Sequence, residues 1–489
     1  HNDIAEIKMP LTLSERHYSW SGFFVSVTFV CDSVSSSRRS RYIVKLLLDF
    51  GGKNVASHYS TETISELLIR WLYSGLLLLA APFAYLGLVK RGVRQHRHDT
   101  QHFLSRFGCV AKPASTGGYF FHCVSVGEVV AASCVVKQIL QSEPDATITI
   151  TTTTPTGSAR VRAIFADRVH HFYLPFDFPF SMQWMLRRVQ PRLVCITEVE
   201  LWPNLIHACW KRNIPAVVIN ARMTDRSAAR YKKISALFSP MLRKVTKVCA
   251  QGPRDYENYE ALGIREDKLL LTNNIKFDQA TSLDSQQHSD FMGLNNCERY
   301  TIVAGSTHDP EEQVLLAAVQ RLGNAHKTSE PLLIIVPRHP ERFDTVAELL
   351  EGHGVSFIRT SVNDVIQNDT DVILLDEMGR LNEAYAVADV AFVGGSLADK
   401  GGHNALEPAA FGIPVIMGPN TYNNPVICEH LIASGGLHIK QNATEIYDQL
   451  SQWLTDPAKR SESGRAGKTV LTKNSGALQK TLQVLRSLK

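Results

Sequence analysis

Glu128, Glu198 and Glu200 each stand where an apolar run gives way to the start of a helix. A carboxylate at such a bend can take a proton from a hydroxyl, and a positioned base contributes roughly 10²–10⁴-fold to a rate. The first lies in Ser125-Val126-Gly127-Glu128, where a helix-capping glutamate is the default reading of the motif by itself. The other two lie in Glu198-Val199-Glu200-Leu201-Trp202-Pro203-Asn204, and packing alone does not account for two carboxylates there. Thr151 to Gly157 adds a hydroxyl-rich turn that can contact an anion. Lys276 is a cation at the edge of its domain, and a solvated surface would also explain it. Arg338 follows the apolar run 332–336, a position suited to bidentate contact with a phosphate.

A glycine-rich stretch supplies a second kind of chemistry. The apolar residues 390–393 run into Gly394-Gly395-Ser396-Leu397, then Gly401-Gly402-His403-Asn404-Ala405-Leu406-Glu407-Pro408. Glycines let a backbone approach a ligand closely, and a helix N-terminus presents free N–H groups to an anion. A helix is expected to start near Asn404, a good N-cap, and Glu407 one turn in can accept from a ribose diol. Gly305 and Ser306, after residues 301–304, are expected to add phosphate contacts. An ordinary α/β loop with a capping Asn is the alternative. The dinucleotide fingerprint G-x-G-x-x-G after a strand is absent. No Asp-x-Asp stands beside the expected phosphate site, and no His/Cys cluster has ligand spacing, so the sequence calls for no metal and no cofactor.

The elements that must position these residues alternate. Strands are expected at 119–124, 147–152, 171–174, 193–197, 216–220, 247–250 and 268–272, with amphipathic helices such as 129–140 and 253–262 between them. A second series follows at 301–304, 332–336, 372–375, 390–393 and 414–417. Such alternation builds doubly wound parallel sheets, which bind ligands beyond their strands' C-terminal ends. The chain of 489 residues divides into an N-terminal extension (1–68) with no role assigned, an apolar anchor helix (69–91), a first Rossmann-like domain (92–280), a linker (281–300) and a second such domain (301–489). The net charge of +5 is too mild over this length to imply nucleic acid, and the nine cysteines, free of C-x-x-C pairs, suit a reducing compartment. Trp71 to Val89 carries no charge. As a helix it would be ~28 Å long, close to the ~30 Å hydrocarbon core. Lys90, Arg91, Arg94 and Arg97 follow, which puts the rest of the chain in the cytoplasm and favours anionic headgroups. Pro82 leaves a half-inserted monotopic anchor open, and a buried helix of a soluble domain is the alternative.

From about residue 70 to the end the chain resembles the 3-deoxy-D-manno-octulosonic acid (Kdo) transferases of lipopolysaccharide synthesis, which have the GT-B fold: two Rossmann-like domains facing a cleft. The resemblance rests on the Ser125–Glu128, Thr154–Gly157 and Glu198–Asn204 motifs, Asn220-Ala221-Arg222, Lys276-Phe277-Asp278, Gly305-Ser306-Thr307-His308, Val336-Pro337-Arg338-His339, Met378-Gly379, and the Gly401–Pro408 stretch. It implies that Glu128 is the general base and that Glu198 and Lys276 support the transition state. It assigns the cytidine monophosphate part of the donor CMP-Kdo to Pro337, Arg338, Met378, Gly379, Arg380, Asn404, Ala405, Leu406 and Glu407. The acceptor it implies is the glucosamine disaccharide of the lipid A precursor, at the cytoplasmic face of the inner membrane. Two positions depart from the family pattern: Asn273 replaces a usual glycine, and so does Pro310. The first 60-odd residues have no counterpart in the family, as an over-extended reading frame would produce. Rival readings are a GT-B enzyme with another nucleotide sugar and a catalytically silent, membrane-attached binding protein.

Overall fold

The computed structural model describes residues 62–95 and 104–488, apart from 285–290, 295–297, 327–330, 363–364 and 368. The expectations for residues 1–61 lie outside the described residues, as do those for Arg97. The first sheet has the order β3-β2-β1-β4-β5-β6-β7, with β1 Tyr119–His122, β2 Ile148–Thr152, β3 His170–Tyr173, β4 Leu193–Thr197, β5 Ala216–Ala221, β6 Lys247–Ala250 and β7 Leu269–Leu271. Its recorded pairings are all parallel. Both faces are covered, which is why these strands read as continuous apolar runs. Phe120, Val194, Ile196 and Val218 enter one core cluster, and their neighbours Phe121, Cys195, Val217 and Ile219 enter the other.

The second sheet repeats the plan in the order β10-β11-β9-β8-β12-β13-β14. Its strands are β8 Thr301–Thr307, β9 Leu332–Pro337, β10 Phe357–Arg359, β11 Val372–Leu374, β12 Val390–Val393, β13 Val415–Met417 and β14 Leu437–Ile439. The edge strands β10 and β14 carry no run of buried apolar residues, so sequence alternation did not reveal them. β8 runs three residues further than expected, which draws Gly305 and Ser306 into the strand. Gly305 accepts the Gly394 N–H at 2.8 Å, and a Cβ there would collide with the Tyr385 ring. Strand packing therefore accounts for this glycine by itself.

The domain boundaries also move. The helix Ile275–Asp284 runs past residue 280 and puts Phe277 and Ala280 into a second-domain core cluster. The terminal helix Ala477–Ser487 returns to the first domain, where it packs against the helix Val126–Ser142 and its Ala477, Leu482, Val484 and Leu485 join the core cluster that holds Tyr119, Phe121, Ile148 and Ile150. Asp278 fastens this return by accepting the Gly476 and Leu478 N–H groups at 2.7 and 3.0 Å. An amphipathic pattern tells that a helix is half buried, not which domain buries it.

The apolar helix spans Ile64–Gln95, beginning before the expected residue 69 and with Pro82 inside it. Its segment Ile64–Pro82 is, among the described residues, the one long and apolar enough to cross a membrane. One side faces the first domain: Tyr73 donates to Asp177 at 3.0 Å, Arg70 to Asn204 at 3.4 Å, and Ser74 accepts from Asn204 at 3.0 Å. Leu68, Trp71, Leu72, Leu78 and Leu79 are exposed, Leu79 by 72%.

Candidate active site

In both sheets the chain reverses its direction of winding beside the first strand, between β1 and β4 and between β8 and β12. Crevices open at such switch points. In the first domain β1 leads to Ser125, the N-cap of the helix Val126–Ser142, and Glu128 completes a capping box with it. Glu128 accepts the Val124 N–H at 2.7 Å, the Ser125 N–H at 3.3 Å and the Ser125 hydroxyl at 2.9 Å. A carboxylate has about four acceptor sites, so one remains. Capping and chemistry are thus compatible in the same side chain. Burial, then the charges of Glu198 and Glu200, push the Glu128 carboxyl up to about 8.

β4 delivers the other two carboxylates to the same crevice. Glu198 sits at φ 59°, its N–H bound to Ile219 at 3.0 Å, so the chain turns sharply as it leaves the strand. Glu200 accepts the Trp202 indole N–H at 3.3 Å, and burial raises its carboxyl to about 7. His122, at the end of β1, is fully buried and packs edge-on against Trp202 with ring centroids 5.9 Å apart. Its Nδ1 meets the Thr151 hydroxyl at 3.0 Å, and burial depresses its imidazole to about 3, so it stays neutral. Sequence reasoning passed over His122; its one signal was a polar residue inside an apolar run.

The second domain gathers cations and imidazoles at its switch point. Pro337 ends β9, and Arg338 is exposed just beyond it, with its N–H on Thr307 at 3.0 Å. The Arg338 charge reaches both His403 and Glu407. Glu407 accepts from Asn404 Nδ2 at 3.1 Å, and burial raises its carboxyl. Asn404 Oδ1 takes the Leu406 N–H at 3.2 Å. The helix itself is only Leu406–Ala410, so Asn404 acts from one residue before its cap, while Ala405 and Leu406 are buried in the core. Met378 is exposed, Gly379 turns at φ 93°, and Arg380 pairs with Glu377 and Glu383 above the Phe291 ring. His308 and His403 face each other at 2.9 Å between their Nε2 atoms, with His339 edge-on to His308. Burial lowers His308 to about 4 and His403 to about 3.

One expectation fails here. The amides of Gly395, Ser396, Leu397 and Ala398 do not await a phosphate: Glu311 accepts all four at 2.8–3.2 Å, together with the His308 N–H at 2.9 Å. Glu311 lies in the first turn of the helix Glu311–Ala325, 84 residues before the loop it fills, and no local signal links the two. Lys276 reaches the second domain from the first, its Nζ donating to Asn424 Oδ1 at 3.0 Å. Asn273, where the family usually has glycine, keeps a left-handed φ of 73°, which asparagine tolerates better than most side chains.

Comparison with known proteins now decides the family. Residues 101–279 match the family described as 3-deoxy-D-manno-octulosonic-acid transferase (kdotransferase), and residues 358–470 match glycosyl transferases group 1. The 3-deoxy-D-manno-octulosonic acid transferase of Haemophilus influenzae is 41% identical over 421 residues, 85% of this chain and 98% of that protein. This chain belongs to the Kdo transferases. The Bordetella pertussis Kdo transferase is 30% identical over 85% of this chain and 98% of its own length. In fold, the chain is similar to the UDP-GlcNAc 2-epimerase of Neisseria meningitidis, with a TM-score of 0.52 and 13% identity over 76% of this chain and all of that one (100%). Its architecture is that of GT-B glycosyltransferases, and its activity is the glycosyl transfer of a Kdo transferase in lipopolysaccharide synthesis.

Proposed function

We propose that the chain moves Kdo from CMP-Kdo to the glucosamine disaccharide of a lipid A precursor by inverting displacement, with Glu128 as general base. The observation that carries this is the carboxylate group at the first switch point. Glu128 keeps one acceptor site open, and its carboxyl is pushed to about 8 by burial and by Glu198 and Glu200. A base works best with a pKa near the working pH. The acceptor's primary hydroxyl gives its proton to Glu128 as its oxygen bonds to the anomeric carbon. The bond from that carbon to the phosphate oxygen breaks on the opposite face, and CMP leaves with the electron pair. Arg338 and Lys276 offset the charge that grows on the phosphate. Arg338, Met378 to Arg380 and Asn404 to Glu407 hold the cytidine monophosphate portion, Glu407 accepting from the ribose hydroxyls.

We read the apolar helix as a monotopic anchor at the cytoplasmic face of the inner membrane. Arg70, Tyr73 and Ser74 are tied to Asn204 and Asp177 of the first domain, so this part of the helix cannot also be ringed by lipid. The stretch from Gly75 to Val89 is ~22 Å long at 1.5 Å per residue, short of a ~30 Å core. The exposed leucines and Trp71 enter one leaflet, and the basic residues that follow Val89 in the sequence favour anionic headgroups. Phe180 and Trp184, with ring centroids 5.9 Å apart, are a further exposed aromatic pair on the first domain.

The test is a mass-spectrometric assay of purified protein with freshly generated CMP-Kdo and a tetra-acylated lipid A precursor, beside Glu128→Ala. Addition of Kdo by the wild type and its loss in the variant support the reading. A folded wild type that binds CMP and adds no Kdo refutes it.

A further inference from the structure

The contact between Lys276 and Asn424 joins the two halves at the cleft. The backbone at Lys276 is fixed by the first domain. Its N–H donates to Asn274 Oδ1 at 3.0 Å, Asn274 donates to Gln251 at 2.9 Å, and the neighbouring Ile275 N–H is held by Asn220 at 3.0 Å. The head of the side chain is fixed by the second domain, through Asn424 Oδ1 at 3.0 Å. Among the described residues no carboxylate pairs with this ammonium within 4.0 Å. It has three donors and one neutral partner, so two N–H groups remain for an anion.

Asn424 stands at the N-cap of the ten-residue helix Pro425–Ser434, the place where an Asn side chain ordinarily accepts an N–H of the first turn. Here it makes no capping hydrogen bond. The backbone at Asn424 is held instead, by Thr421 at 3.2 Å through its N–H and by the Cys428 N–H at 3.0 Å through its carbonyl. A rigid residue thus forgoes the local hydrogen bond its type favours and turns its oxygen to a cation of the other domain.

We propose that Asn424 is a positioning residue for the glycosyl transfer: it aims the Lys276 ammonium at the departing phosphate, and only when the two domains are in register. This rests on the proposed role of Lys276 at that phosphate. Asn424 touches no reacting atom, so its effect runs through Lys276. Lys276 has free rotation along a four-carbon stem, and an ammonium held at its tip loses less entropy on meeting the transition state.

A double-mutant cycle on transfer of Kdo from CMP-Kdo tests this, using Asn424→Ala, Lys276→Ala and the pair in the full chain. Asn424→Ala is expected to lower kcat about tenfold with the donor KM changed less than about twofold, while the pair is no slower than Lys276→Ala alone. Asn424→Ser, which restores a capping oxygen but does not reach Lys276, is expected to be as slow as the alanine variant. Equal kcat in Asn424→Ala and wild type, additive losses in the cycle, or full recovery in Asn424→Ser would overturn the inference; the last would show a capping role only. An inactive wild type would instead overturn the transferase reading, and this inference with it.

Discussion

Glu128 and Glu311 occupy the same place in two copies of one plan. Each follows the first strand of its sheet, lies in the first turn of the next helix and is buried at a switch point. Their surroundings differ. Glu311 is enclosed by five backbone N–H groups, four of them from a single loop, so its charge is fully used in holding that loop. Glu128 has two backbone N–H groups and one hydroxyl, and it faces two more carboxylates. A buried carboxylate saturated by donors has no acceptor site left for a ligand, whereas one short of donors and facing like charges keeps a site and has its pKa raised.

The largest expected effect separates the two by activity. Glu128→Gln should lower kcat by about 10²–10⁴-fold while the protein remains folded and donor KM stays within about twofold. Steady-state kinetics on the lipid acceptor checks this, and a kcat near wild type would erase the distinction. Next, Glu311→Ala should strand its amides and lower the unfolding free energy by ~3–5 kcal/mol, with Glu311→Gln less damaging. Chemical denaturation measures it; unchanged stability with lost kcat would exchange the two roles.

Arg338→Ala sharpens the comparison at the donor side. It is expected to raise the donor KM about tenfold and to leave the pH profile in place, since its charge acts on His403 and Glu407 rather than on Glu128. A shifted profile with unchanged KM would argue against a phosphate role.

Smaller effects lie in pH. In the proposed mechanism the ionised Glu128 carboxylate is the base, so kcat/KM is expected to rise as pH climbs toward about 8. Glu200→Gln removes a like charge, eases ionisation of Glu128 and should move that limb to lower pH by roughly half a unit. The same shift has a stability counterpart. With the folded Glu128 at about 8 and a reference of 4.5, the native state holds the proton over the interval between, and stability falls as pH rises through it. Glu128→Gln cannot ionise, so its melting temperature should gain on the wild type from pH 5 to pH 8. A constant gap would mean that the carboxyl is not raised.

Much of this was legible in the residues. The central strands showed themselves because strands buried on both faces must be continuously apolar, and the carboxylates at 128, 198 and 200 stood out against such runs. The edge strands Phe357–Arg359 and Leu437–Ile439 were not legible, because an edge needs no buried run. The glycines after β12 misled: their amides looked free because their partner lies 84 residues earlier in the chain. His122 was hidden as one polar residue in a buried strand.

The sequence by itself determined the family, two parallel α/β units and the strand ends at which polar residues gather, because periodicity and local motifs follow from neighbours along the chain. Only the tertiary structure decided which carboxylate is saturated and which stays open. It also placed the last helix, Ala477–Ser487, in the first domain and brought Asn424 to Lys276, because donors and packing faces meet through space, across 84 residues for Glu311 and its loop, 148 for Lys276 and Asn424, and 198 for Asp278 and Gly476.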